Sequence, residues 1–181
     1  MTNYAEKLIS AFGPPENQGG PQKVFDTSNE IPDALRDLWL AHGFASYQHG
    51  FYWNTNPADF AQLKKMWPRI KGNIVVFGRD CFANCYFLSD GRVKQLNPAS
   101  NEIVEIAPGI EVFFRALVGD KDFRNNYMWE NLFPSALSRN GPIASDECYG
   151  FFPALRLGGS FSADTLRRVK LDEHLQFLSQ I

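Results

Sequence analysis

The chain has 181 residues and a formal net charge of −2, with 44% hydrophobic and 14% aromatic residues. So much apolar material excludes a disordered chain and supplies a core. The near-neutral charge provides no general drive towards nucleic acid or anionic membrane.

The charge is uneven. Residues 1–62 carry three basic and seven acidic groups, a net of −4, and the remainder carries fifteen basic and thirteen acidic groups, a net of +2. The first third is mildly acidic, which suits a basic partner or simply a solvated surface. The amino terminus has no basic region followed by an apolar core, so no signal peptide is expected. No stretch approaches the roughly 20 apolar residues that span a bilayer. The three cysteines, Cys81, Cys85 and Cys148, read as reduced thiols of a cytoplasmic protein.

In chain order, Asn3 to Phe12 predicts a short helix, with Tyr4, Leu8 and Phe12 on one face. Residues 13–22, rich in Gly and Pro, predict a loop, and Val24-Phe25 a brief extended piece. Pro32 to Ala41 predicts a helix that buries Leu35, Leu38 and Trp39 and stops at Gly43. Gly50 to Trp53 predicts a strand. Asn56-Pro57 then predicts a helix start, in which Asn56 caps a free N–H and Asp59 complements the dipole. Phe60, Leu63 and Trp67 face inward there.

The middle predicts antiparallel sheet: strands at Asn73–Phe77 and Asn84–Leu88, a hairpin turn at Asp90-Gly91, and strands at Arg92–Leu96 and Glu102–Ile106. Pro108-Gly109 breaks this pattern. Ile110, Phe113, Phe114, Leu117 and Val118 then mark an amphipathic helix. Asp120 to Asn131 predicts a second helix or an irregular connection, and Phe133 to Asn140 a helix stopped at Gly141-Pro142. Asp146 to Gly159 is the densest run of aromatic, small and turn residues. Cys148–Phe152 predicts a buried strand, Pro153 its end, and Gly158-Gly159 a tight turn. Asp172 is placed to cap a terminal helix that turns Leu175 and Leu178 inward.

No pattern of residues points to catalysis. A zinc site normally takes four Cys or His ligands at paired spacing, and here His42, His49 and His174 are scattered and no Cys-x-x-Cys exists. Cys148 with His49 or His174 satisfies only the loosest hydrolase inventory, and an apolar setting makes a thiol inert. Gly158-Gly159-Ser160 could present N–H groups to an anion, without a Walker lysine or a dinucleotide fingerprint beside it. Asp146 and Glu147 are adjacent, so on a strand they point to opposite faces, a poor geometry for two acids sharing a substrate. No cofactor, no metal and no enzymatic activity are expected.

Two blocks carry a family resemblance. Ile31-Pro32, Leu35, Trp39, Gly43, Gly50-Phe51-Tyr52-Trp53 and Asn56-Pro57 with Phe60 resemble the GAD-like domain. Leu132-Phe133-Pro134, Ala136-Leu137, Arg139, Gly141-Pro142, Asp146 to Leu155, Leu157-Gly158-Gly159, Val169-Lys170, His174-Leu175 and Leu178 resemble the carboxy-terminal domain of Tdi-type immunity proteins of bacterial type VI secretion systems. The resemblance implies an α+β fold, with a central, mostly antiparallel sheet flanked by helices. It implies two parts, residues 1–107 and 108–181. It also implies an antitoxin that binds a cognate toxin effector stoichiometrically, a nuclease cutting DNA in the best-known members, without itself binding nucleic acid. The alternative is a non-catalytic binding module of the same fold without a toxin partner. The candidate partner-binding residues are Asp146, Glu147 and Tyr149, with Glu30, Asp33 and Asp37 as a second acidic patch, because complementary charge orients docking.

Overall fold

The computed structural model describes residues 4–19 and 31–181. Its main sheet has seven antiparallel strands in sequence order. These are β1 (Glu16–Gly19), β2 (Phe44–Tyr47), β3 (Tyr52–Asn54), β4 (Val75–Asp80), β5 (Cys85–Ser89), β6 (Arg92–Asn97) and β7 (Glu102–Ala107). A separate antiparallel pair joins β8 (Glu147–Phe151) to β9 (Leu166–Lys170). The helices are α1 (Tyr4–Phe12), α2 (Asp33–His42), α3 (Leu63–Met66), α4 (Ile110–Gly119), α5 (Lys121–Met128), α6 (Phe133–Asn140) and α7 (Leu171–Ser179). The fold is α+β.

Strand β5 shows how the layers arise. Alternate residues of a strand face opposite sides, and all five positions of β5 are buried. Tyr86 and Leu88 join a core with Tyr4, Leu35, Trp39, Phe77, Phe113 and Phe114, from α1, α2, α4 and the sheet. Cys85 and Phe87 join a second core with Leu63 of α3, Trp67 just after it, and Leu175 and Leu178 of α7. Helices therefore cover both faces of the sheet. Both cores draw residues from before and after Ala107, where the sheet ends.

Several local expectations hold. Asn56 Oδ1 accepts from the Ala58 N–H at 3.0 Å at the start of a 3-10 turn, Pro57–Phe60. The stretch from Asp120, for which the sequence allows a helix or an irregular connection, begins as helix α5, where Asp120 Oδ1 accepts from the Phe123 N–H at 3.0 Å. Asp90 and Gly91 both take positive φ in the β5–β6 turn.

Other elements differ. The stretch predicted as a loop over 13–22 is not a plain loop in its described part, residues 13–19: β1 pairs with β2, and the Ser46 hydroxyl donates to the Glu16 carbonyl at 3.3 Å. Strand β2 lacked a sequence signal, and the turn to β3 is made by Gln48, His49 and Gly50, all with positive φ. Strand β4 runs on through Gly78, Arg79 and Asp80 because β3 pairs with all three. Gly78 leaves room for the Tyr52 ring, whose hydroxyl would lie 2.5 Å from an added Cβ. Asp172 does not cap α7; it lies in the first turn, behind Lys170 at the cap position. The expectation for Val24-Phe25 falls outside the described residues.

Candidate partner-binding surface

The junction between the main sheet and the β8–β9 pair is built on Arg79. Its side chain is 1% exposed, and its guanidinium stacks 4.5 Å from the Trp53 ring centroid. It donates to the Asp80 carbonyl at 3.1 Å and the Ser145 carbonyl at 2.9 Å. No carboxylate lies within ion-pair distance of it among the described residues. Burial lowers its pKa, and the neighbouring Cys148, Cys85, Cys81 and Asp80 oppose that effect. The Tyr149 N–H donates to the Cys81 carbonyl at 2.7 Å, which ties β8 to the turn after β4.

Above Arg79 opens a cleft of about 310 Å³, with Phe44, Trp53 and Phe60 among its walls and Asp59, Asp146 and Asp172 around it. Burial, then repulsion from the Asp172 carboxylate, pushes the Asp59 carboxyl above its ordinary value. The sequence presented Asp59 and Asp172 only as helix-start acids, over a hundred positions apart. Their convergence with Asp146 comes from the packing of α7 beside α3 and the 3-10 turn.

Asp146 and Glu147 do not diverge as strand neighbours would. Asp146 precedes β8, and both acids reach Lys170 of β9, at 2.6 Å and 3.7 Å. Glu147 also lies 3.8 Å from Arg168. The hydrogen bond from Lys170 holds the Asp146 carboxyl below its ordinary value. This pair of acids is therefore locally balanced by two bases, and Asp146 is the member that also borders the cleft.

Tyr149 is not a surface residue. It is 1% exposed, packs against Phe82, and its hydroxyl donates to the Gly141 carbonyl at 2.6 Å. Its position on a strand buried on both sides makes it a core residue, which corrects the expectation of direct partner contact. Asp33 and Asp37 are exposed one turn apart on α2, and Asp33 pairs with Arg36 at 3.0 Å. Glu30 lies outside the described residues.

The remaining chemistry is quiet. Cys81, Cys85 and Cys148 are free and buried. Burial pushes the Cys148 thiol up to about 12, with Arg79 opposing, so it stays protonated and poorly nucleophilic at neutral pH. Among the described residues no group of three or more His, Cys, Asp or Glu is arranged to hold a metal ion. The Gly158 and Gly159 N–H groups already donate to Leu155 and Ala154 carbonyls, which leaves no free nest for an anion. No helix among the described residues is long and apolar enough to cross a membrane.

Residues 3–99 match the GAD-like domain family, and residues 107–181 match the family described as T6SS immunity protein Tdi1, C-terminal. The chain belongs to the GAD-like domain family, and its carboxy-terminal segment matches the Tdi1 immunity family. The crystal structure of Atu4351 from Agrobacterium tumefaciens shares the fold, with a TM-score of 0.75 at 16% identity over 97% of this chain and 88% of that one. Among curated proteins, no sequence matches the chain. In the family's terms, the cleft over Arg79 sits where the two matched segments meet: Phe44 to Arg79 belong to the GAD-like match, and Ser145 to Asp172 to the immunity match.

Proposed function

We propose that this protein is a cytoplasmic antitoxin that neutralises a cognate type VI secretion effector by stoichiometric binding, catalysing no reaction itself. The match of residues 107–181 to the Tdi1 immunity family carries this reading. The effector is read as a nuclease. An enzyme that grips the nucleic-acid backbone presents lysine and arginine, and the carboxylates of Asp59, Asp146 and Asp172 offer complementary charge. Glu147 adds to that charge beside Asp146, Asp33 and Asp37 on α2 form a second acidic patch for the same partner, and a two-part reading of the chain, residues 1–107 and 108–181, would have both parts contribute to the cleft. The buried, protonated Cys148 supports the non-catalytic part of the reading.

Co-expression with a candidate effector, the product of a toxin-like reading frame found beside its gene, tests this. The chain should restore growth and co-elute with the effector at one to one. Reversing Asp59 and Asp172 together to lysine should weaken the complex by roughly tenfold or more, as removing complementary charge at a desolvated contact does. Continued killing, with no complex on size exclusion, would sink the antitoxin reading. A complex indifferent to the reversals would remove the cleft from it.

A further inference from the structure

A second surface feature adjoins the acidic cleft on β9 and α7, where Lys170, one of its lining residues, pairs with Asp146 of the cleft at 2.6 Å. Phe152, Val169, Lys170, Glu173, His174 and Phe177 line a groove of about 210 Å³. Phe152 and Phe177 are 48% and 44% exposed there, unusual for large apolar side chains on one small feature. His174 is 7% exposed, yet neither ring nitrogen has a hydrogen-bond partner among the described residues. The ring rests on the strand: a Cβ added to Gly150 would lie 2.5 Å from His174 Cε1. A glycine at that strand position is what lets the imidazole sit at the groove.

We infer that this groove receives a tyrosine side chain presented by a protein partner, with its phenol hydroxyl hydrogen-bonded to the imidazole of His174. The volume falls below the roughly 300–1,000 Å³ of small-molecule sites and suits one side chain. Aromatic anchors filling such pockets dominate protein interfaces. The apolar walls of Phe152, Val169 and Phe177 suit a ring. A purely apolar occupant would cut the imidazole off from water and leave it unpaired. Burial pushes His174 down to about 4, so at neutral pH it is uncharged, with one nitrogen donating and the other accepting. A phenol hydroxyl can meet either nitrogen, whereas an indole only donates. Identifying the partner as the effector rests on the antitoxin reading; the chemistry of the groove does not.

Titration of the isolated protein with p-cresol, followed by NMR of the histidine ring protons, tests the groove without an effector. The chain has three histidines, of which His174 should show a saturable shift while His42 and His49 stay in place. Toluene should bind at least about tenfold more weakly, since it lacks the group that pairs the imidazole. Phe177→Ser, a change at an exposed position, should weaken p-cresol binding without altering the fold. Equal affinity for toluene, or shifts shared by all three histidines, would overturn the proposal. With the effector in hand, Phe177→Lys should weaken the complex by about tenfold or more, as loss of an anchor pocket does. An effector bound and neutralised equally well by Phe177→Lys would overturn the groove as its dock and leave the antitoxin reading standing.

Discussion

Replacing Asp80 with asparagine should abolish a pH dependence of folding stability that the native protein carries. The Asp80 carboxylate is fully buried. Oδ1 accepts from the Phe82 and Asn84 N–H groups at 2.8 and 3.1 Å, and Oδ2 from Asn84 Nδ2 at 2.8 Å and the Tyr86 hydroxyl at 2.7 Å. These bonds favour the charged form, yet burial outweighs them and raises the carboxyl from 3.8 to about 7. Burial raises the Cys81 and Cys85 thiols and the Tyr86 phenol as well, so all three stay neutral across this range, and Arg79 is the neighbouring cation. The folded state therefore binds this proton more tightly than the unfolded chain. The resulting stability is fully present below about pH 4 and is lost as pH rises through about 7. One pH unit of difference is worth about 1.4 kcal/mol, so the full span is on the order of 4 kcal/mol. An asparagine at position 80 keeps an acceptor for the two backbone donors. Its new N–H₂ can meet Asn84 Oδ1, which has no partner in the native arrangement, if that amide turns over. The variant's intrinsic cost is then independent of pH. Urea unfolding followed by tryptophan fluorescence, from about pH 4.5 to about pH 8, should show the variant gaining on the native protein by a few kcal/mol as pH rises. Parallel stability curves over that range would refute the reasoning.

Two further substitutions probe the frame that holds the candidate surfaces. Gly159→Ala would place a Cβ 1.9 Å from the Pro153 carbonyl oxygen, a backbone atom with no room to yield. It should destabilise the protein by more than the roughly 1–3 kcal/mol of ordinary overpacking, read as a lowered melting temperature. Arg79→Ala removes a buried side chain, its stack on Trp53 and its bond to Ser145. It should cost on the order of 3 kcal/mol and increase hydrogen exchange at Ser145–Cys148. Unchanged exchange there would mean that Arg79 does not hold the junction.

Much of this fold could be read from local pattern. The stripe of Ile110, Phe113, Phe114 and Leu117 sufficed to place α4, and Asp90-Gly91 to place the β5–β6 hairpin. Asn56-Pro57 marked a helix start, because a cap acts on N–H groups within three residues of itself. The family resemblance rested on such runs too, chiefly the one from Asp146 to Gly159.

Other features depended on partners distant in sequence. Strand β1 has no apolar alternation and exists because β2 offers it a backbone to pair with. Strand β9 reads as Leu-Arg-Arg-Val-Lys, and its charges conceal a pairing with β8 in which Leu166 is the one buried member. Gly78-Arg79-Asp80 looks like a polar turn, yet lies in the sheet with Arg79 stacked on Trp53. Tyr149 looked available for contact until two packed faces enclosed it. Neither the meeting of Asp59, Asp146 and Asp172 nor the rest of His174 on Gly150 has any local signature. Local sequence sets backbone preference and side-chain periodicity over a turn or two. Which charges are desolvated, which are paired and which converge is set only when distant segments share a core.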